Sequence, residues 1–193
     1  GLDMAKLMIG SFGTLAAIAV VNFKVFPMSA GSRTFTMEFA TAEEAFAARD
    51  RILQSVLQPS AIDIVTWSGK FRLLVRADGN AAMLDRFARE LPQAKIEDDM
   101  IWEEIREFTP QFLAANPQAK VVAHSMKLTE MAGAMSKLNG PAIARAGSGV
   151  IYAHYLKDAP EPQWAGGSET MERIKSMFDP ERLLNPGRLY GRI

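Results

Sequence analysis

The chain has 193 residues, of which 48% are hydrophobic and 23% charged, a length and balance that suit one sizeable globular domain or one domain with part of another. The 22 basic and 22 acidic side chains cancel, so there is no excess of positive charge for binding nucleic acid or an anionic membrane surface. The absence of cysteine excludes disulfides, thiolate nucleophiles and thiolate metal ligands, and it is compatible with a cytoplasmic location.

The first apolar segment, Leu15–Val21, is shorter than the roughly 20 residues that a transmembrane helix needs. It also lacks the basic start and the cleavage site of a signal peptide. Toward its end, the stretch Thr14–Phe26 alternates apolar and polar side chains between Gly13 and Pro27. This pattern predicts a buried pair of strands and no transmembrane segment.

The stretch from Phe35 to Glu97 has the pattern of a βαββαβ unit. Phe35, Met37 and Phe39 alternate with polar residues and predict a half-buried strand. Thr41 and Glu44 have the spacing of a capping box, which predicts that a helix begins there. The remaining predicted elements are strands on both sides of Gly69, a helix capped by Asp78–Asn80, and a short strand near Ala94–Glu97.

After a short helix predicted at Asp98–Phe108, the pattern begins again. Alternation over Val122–Leu128, a helix over Thr129–Leu138 and strands at Ala142–Ala146 and Val150–Leu156 give the order βαββ. A last helix is predicted over Met171–Phe178. We therefore predict an α+β fold with an antiparallel sheet, helices on one face and two ferredoxin-like halves, the second incomplete.

The turn from Gly10 to Thr14 is the first candidate binding element. Glycine lets the backbone approach a flat or anionic ligand closely, and successive amides that are not otherwise bonded can hold an anion. Gly10, Ser11, Gly13 and Thr14 are the candidate contacts. The alternative is a tight turn that connects two strands.

The sequence Asn185-Pro186-Gly187 is the second candidate. An asparagine side chain both donates and accepts hydrogen bonds, and a Pro-Gly pair makes a turn that would direct it. Taken alone, this tripeptide predicts only a turn.

His124 and His154 are the only histidines, and each lies in an alternating strand where it could contact a substrate or fill the core. They do not have the spacing of a metal motif, so no metal site is predicted. Arg72, Arg76 and Arg145 lie on predicted strands and could bind a carboxylate in bidentate fashion or cover a solvated sheet face. The sequence does not choose between these alternatives.

Both ends of the chain resemble FAD-linked oxidases of the vanillyl-alcohol-oxidase type. Residues 1–15, GLDMAKLMIGSFGTL, are similar to the run that ends the flavin-binding domain in that family, and residues 178–187, FDPERLLNPG, are similar to the run that ends its polypeptide. The Gly-Ser-Phe-Gly-Thr-Leu variant most resembles the FAD-binding second subunit of bacterial glycolate oxidases. The resemblance spans nearly the whole chain, but its specific motifs lie at the two ends.

The resemblance implies a division into residues 1–30 from the flavin domain, a cap or substrate domain over 31–165, and residues 166–193 returning to the flavin domain. It implies FAD in the parent protein, with contacts from Gly10, Ser11, Gly13, Thr14 and Asn185, and oxidation of a small 2-hydroxy acid such as glycolate. His124, His154 and Arg145 are the substrate candidates. The implied partners are other oxidase subunits, one with FAD and one with iron–sulfur clusters, which would hold the protein at the inner membrane.

Because the family's glycine-rich FAD-binding segment is not in this sequence, we expect the isolated chain to be inactive and to purify without flavin. The alternative, from another class, is a non-catalytic interaction module of ferredoxin-like fold. In either case the apolar N-terminal segment is expected to mediate self-association.

Overall fold

The computed structural model describes residues 3–25, 27–67, 69–160 and 168–188. The chain divides into two compact units, one formed by residues 1–26 and 164–193 and the other by residues 27–163. In chain order the elements are α1 (Met4–Met8), β1 (Gly31–Phe39), α2 (Ala42–Gln54), β2 (Ala61–Thr66), β3 (Phe71–Gly79), α3 (Ala81–Glu90), β4 (Lys95–Glu97), α4 (Met100–Ala115), β5 (Lys120–Ser125), a 3₁₀ turn (Leu128–Glu130), α5 (Met131–Met135), β6 (Ala142–Arg145), β7 (Val150–Tyr155) and α6 (Ser168–Phe178).

A seven-stranded sheet with the order β4-β1-β3-β2-β6-β7-β5 forms the larger unit, and every neighbouring pair is antiparallel. β1 to β4, with α2 and α3, make the predicted βαββαβ half. β5, α5, β6 and β7 make the incomplete second half. The halves meet where β2 pairs with β6, with Ile64 opposite Ala144. The α+β class and the antiparallel sheet are confirmed.

The main core lies on the sheet face that α2, α3 and α5 cover. Helix α2 begins at the predicted capping box: the Glu44 amide donates to Thr41 Oγ1 and the Thr41 amide donates to Glu44 Oε2, both at 3.3 Å. Its buried side pairs Phe46 and Ile52 with Ile64 and Leu73 from the strands. Alternate strand residues supply this core because successive side chains point to opposite faces.

The opposite sheet face carries a second, smaller core beneath α4. Ile101 and Ile105 of this helix are buried with Val65, Leu74 and Ile143, which occupy the other set of alternate strand positions. The prediction that all helices lie on one face is therefore corrected for α4. A sheet face with a central apolar row needs cover, and the apolar side of α4 supplies it.

Helix α4 is also longer than the sequence predicted. Its expected end at Phe108 precedes Pro110, which lacks an amide hydrogen and usually ends a helix. The helix instead continues to Ala115 through Pro110. Phe112, one turn beyond Phe108, stacks on it at 6.0 Å between ring centroids and also contacts the His154 ring. Tertiary packing thus outweighs the local signal.

The prediction of a buried strand pair at Thr14–Phe26 is wrong for the residues that the structure describes. Residues 16–25 form no strand, and Phe26 lies outside the described residues. Ile18, Val20, Phe23 and Val25 are exposed. The alternating pattern specifies one face of a strand, but a strand forms only when its backbone groups find a partner.

Candidate functional site

The smaller unit contains the N-terminal candidate turn, which follows α1. Gly10, Phe12 and Gly13 have φ angles of 83°, 53° and 72°, in the left-handed region that favours glycine. The Ser11 amide donates to the Met8 carbonyl at 3.2 Å, and the Thr14 amide donates to the Ser11 carbonyl at 3.0 Å. These bonds make a compact double turn.

Within the described residues, three of the turn's five carbonyls and two of its five amides are hydrogen-bonded. The carbonyls of Ser11, Phe12 and Thr14 each accept a side-chain hydrogen bond. Among the described residues, the amides of Gly10, Phe12 and Gly13 have no hydrogen-bond acceptor. Amides without an acceptor among the described residues are suited to a ligand that carries hydrogen-bond acceptors or negative charge.

The C-terminal candidate turn follows α6 and is organised by Asp179. Its carboxylate accepts hydrogen bonds from the amides of Leu183, at 3.0 Å, and Leu184, at 2.8 Å. Arg182 and Asn185 have φ angles of 55° and 42°. The carboxylate therefore closes the residues after the helix into a turn that leads to Asn185.

Asn185 joins the two turns. Its side-chain Nδ2 donates to the carbonyl of Phe12 at 2.5 Å. Arg188 adds a second link, because its guanidinium carbon lies 5.8 Å from the centroid of the Phe12 ring. The two segments singled out in the sequence, 173 positions apart at Phe12 and Asn185, are thus in direct contact.

Lys175 is a part of this site that the sequence analysis missed. Its ammonium donates to the Thr14 carbonyl at 2.7 Å, to Asp179 Oδ2 at 2.5 Å and to the Leu184 carbonyl at 2.8 Å. The hydrogen bond from Lys175 lowers the pKa of Asp179, and the amides of Leu184 and Leu183 lower it further. The sequence feature that could have revealed this pair is the Lys-x-x-x-Asp spacing, because residues four apart lie on the same side of a helix end.

An open pocket of about 500 Å³ lies against the N-terminal turn. Its lining includes Gly10, Ser11, Phe12 and Gly13 together with Leu184 from the C-terminal turn. This volume falls within the roughly 300–1,000 Å³ of small-molecule sites. Of the predicted cofactor contacts, Gly10, Ser11 and Gly13 line the pocket, whereas Thr14 is buried behind the turn.

Comparisons with known proteins agree with the resemblance noted from the motifs. Residues 107–189 match the family described as FAD linked oxidases, C-terminal domain. The chain is 24% identical over 211 aligned positions to glycolate oxidase subunit GlcE of Escherichia coli (strain K12), in an alignment that covers 100% of this chain and 59% of that protein. The resemblance to FAD-linked oxidases is confirmed.

A solved structure shares the fold of this chain. Alkyldihydroxyacetonephosphate synthase superimposes with a TM-score of 0.66 over 96% of this chain and 47% of that one, at 15% identity. The chain thus spans about three fifths of the length of GlcE and about half of the length of the synthase. Asn185 lies inside the matched family range, and the Gly10–Thr14 turn precedes it.

The two histidines differ in their surroundings within the larger unit. His154 of β7 is buried, with Nε2 at 2.8 Å from Thr109 Oγ1 and Nδ1 at 3.2 Å from the Pro141 carbonyl. Burial lowers its pKa, although hydrogen bonds to the backbone of Pro141 and Tyr152 oppose this effect. His124 lies on β5 at the edge of the sheet, half-buried, with Nε2 at 3.3 Å from the Tyr155 hydroxyl.

The three candidate arginines are all paired with carboxylates. Arg145 pairs with the buried Asp63, Arg72 pairs with Glu97, and Arg76 Nε lies 3.2 Å from Asp78 Oδ1. Burial raises the pKa of Asp63, and Arg145 opposes this shift. Arg145 is the best placed to bind a further anion, because its side chain remains 43% exposed while its partner is buried.

The described residues hold neither a spanning helix nor a metal cluster. No helix among them is long and apolar enough to cross a membrane. Within the same part of the chain, no group of three or more His, Asp or Glu side chains is arranged to hold a metal ion.

Proposed function

We propose that this chain is the C-terminal part of a FAD-dependent oxidoreductase subunit whose substrate is a small 2-hydroxy acid such as glycolate. In this proposal residues 1–30 and 166–193 belong to the flavin domain and residues 31–165 form the cap. The observation that carries it is the hydrogen bond from Asn185 Nδ2 to the Phe12 carbonyl at 2.5 Å. It joins the two flavin-associated motifs into one local structure.

The residues present suit the flavin. Gly10, Ser11 and Gly13 would contact it through backbone groups at the pocket, and Asn185, next to the lining residue Leu184, would hold the turn in place through its bond to the Phe12 carbonyl. Thr14 would act from behind by accepting the bond from Lys175. When bound, the flavin accepts a hydride from the substrate, and the protein supplies binding and orientation.

The remaining contacts to the cofactor are proposed to come from sequence that this chain does not contain. The chain spans 59% of GlcE, so that relative has additional sequence. We expect the isolated chain to bind no FAD and to be inactive. GlcE is described as a glycolate oxidase subunit. This supports the proposal that the parent protein assembles with a second FAD subunit and an iron–sulfur subunit. Through these partners it would be located at the cytoplasmic side of a membrane.

For the substrate, Arg145 is the proposed ligand of the carboxylate group. Arginine matches a carboxylate in bidentate fashion, and Asp63 holds one end of its head group while the rest is accessible. His124, half-buried at the sheet edge, pairs with Ile151 and so lies on the sheet face opposite to Arg145, where it does not contact the same small substrate. His154 lies on the same face as Arg145, although both of its ring nitrogens are engaged.

The experiment is a flavin titration of the full-length subunit that carries this chain. Asn185→Ala is expected to raise the Kd for FAD about tenfold, the effect of losing one hydrogen bond of about 1.4 kcal/mol. Asn139→Ala, at an exposed turn of the larger unit, is the matched control and should leave the Kd unchanged. An unchanged Kd in Asn185→Ala, or a purified isolated chain with bound flavin, would contradict the proposal.

A further inference from the structure

Lys175 is a charged side chain with no exposure to solvent. Its relative exposure is 0%, and the carboxylate that it meets, on Asp179, is also buried. A lysine is almost never fully buried unless it is paired, because removing an ammonium from water is costly. Its position therefore calls for a compensating arrangement of acceptors.

The ammonium has three hydrogens, and three acceptors surround it. One is the Asp179 carboxylate on the same side of the helix end, and the other two are the carbonyls of Thr14 and Leu184. The carbonyls belong to different turns: Thr14 ends the N-terminal turn and Leu184 precedes Asn185. Lys175 is thus hydrogen-bonded at once to both segments that the proposed function assigns to the flavin.

The direction of these bonds also matters for the turn. By donating to the Thr14 carbonyl, Lys175 holds the last peptide of the turn in one orientation. The amides of Gly10, Phe12 and Gly13 donate to no acceptor among the described residues. Asn185 likewise donates a hydrogen bond to the Phe12 carbonyl and so fixes the orientation of that peptide. Together the two side chains bind two carbonyls of the turn, whose residues Gly10, Phe12 and Gly13 line the pocket.

We propose that Lys175 is a positioning residue that sets the spacing between the Gly10–Thr14 turn and the turn that carries Asn185. The proposal rests on the proposed function for its biological meaning, but the coupling of the two turns through Lys175 is tested separately. A replacement at position 175 is expected to loosen both turns, including the one that lies 161 positions away in sequence.

The test is residue-resolved amide exchange by NMR on the chain itself. The reporters are the Ser11 and Thr14 amides in the first turn and the Leu183 and Leu184 amides in the second, because all four are hydrogen-bonded. In Lys175→Met, we expect exchange at all four to accelerate about tenfold or more, whereas β2 and β3 keep their exchange rates. Arg173→Met, on the same helix but outside the buried group, is the matched control and should change none of them.

Two results would overturn the inference. One is unchanged exchange at all four reporters, and the other is acceleration confined to Leu183 and Leu184, which would make Lys175 a local helix-end contact only. If Lys175→Met unfolds α6, the milder variant Lys175→Gln is measured instead, and the same acceleration at the four reporter amides is expected. Its head group is polar but cannot satisfy three acceptors at once.

A parallel measurement separates this inference from the proposed function. In the full-length subunit, Lys175→Met is expected to lower FAD occupancy at a fixed FAD concentration. If the four amides accelerate but the occupancy is unchanged, the turns do not hold flavin, and the proposed function fails while the positioning role stands. If the amides do not respond, the positioning role fails whatever the flavin content.

Discussion

Asp63 and Arg145 form an ion pair across β2 and β6, where they are directly opposite each other in the register. This strand pair is the seam between the two halves of the sheet. Asp63 is buried, and Arg145 is its hydrogen-bond partner. The buried negative charge of Asp63 in the first half is therefore neutralised by Arg145 from the second half. The stability of the first half thus depends on its pairing with the second.

Replacement of Arg145 by methionine is expected to destabilise the larger unit by about 2 kcal/mol near neutral pH, because Asp63 stays buried without its partner. The value is set below that of a fully buried pair, since Arg145 is 43% exposed. Chemical denaturation measures the change. Arg86→Met, on the exposed side of α3, is the control, and Asp63→Asn combined with Arg145→Met should recover part of the loss. A single variant as stable as the wild type would contradict the prediction.

Two glycines of the larger unit should respond to alanine in opposite ways. Gly149 has a φ of 77°, and a Cβ there would collide with the Met126 carbonyl, so Gly149→Ala should cost roughly 3 kcal/mol. Gly133 lies in α5, and an alanine Cβ there would have no heavy atom within 4 Å, so Gly133→Ala should stabilise by about 0.5–1 kcal/mol. Thermal unfolding of the two variants measures both effects. Equal shifts in Tm would be inconsistent with the backbone conformation at Gly149.

His154 should make the larger unit less stable in mild acid. Burial lowers its pKa in the folded state, whereas in the unfolded chain it takes a proton near pH 6.5. As the pH falls below about 6.5 the unfolded state binds the proton first, so the free energy of unfolding decreases until the folded-state pKa is passed. Denaturation series at several pH values measure the slope.

His154→Gln should flatten the dependence of stability on pH below about 6.5, whereas the control Asn139→Gln, at an exposed position of the larger unit, should retain it. The carboxylates whose pKa values are lowered, Asp99 and Asp179, lose their stabilising contribution at lower pH, below the ordinary carboxyl range, and do not overlap with this window. If His154→Gln showed the same pH dependence as the wild type, His154 would not be the cause of the loss of stability in mild acid.

Self-association is expected through the unpaired segment 16–25. Phe23 and Val25 are 82% and 80% exposed, and the segment has the alternation of a strand without a partner strand among the described residues. Replacing both with serine should lower the molar mass measured by light scattering toward that of a monomer. The control replaces Val56 and Met100, exposed side chains of the larger unit, with serine and should not change the mass. A monomeric wild-type chain would show that this segment does not associate.

Local patterns were sufficient for most of the larger unit. Thr41 and Glu44 predicted the start of α2 because a capping box uses atoms only three residues apart. The alternation of Phe35, Met37 and Phe39 predicted β1 for a similar reason. These signals depend on the backbone and its nearest neighbours, so they survive in whatever tertiary structure surrounds them.

The motifs at the two ends were recognised in the sequence, but their contact was not derivable from it. The sequence by itself determined which segments form strands and helices where local periodicity and capping decide the matter, and it marked Gly10–Thr14 and Asn185 as unusual. Only the tertiary structure decided that Lys175 is buried between two turns, that α4 covers the second face through Pro110, and that residues 16–25 have no strand partner among the described residues. Burial and strand pairing depend on atoms distant in sequence, and no local pattern encodes which of those atoms will be present.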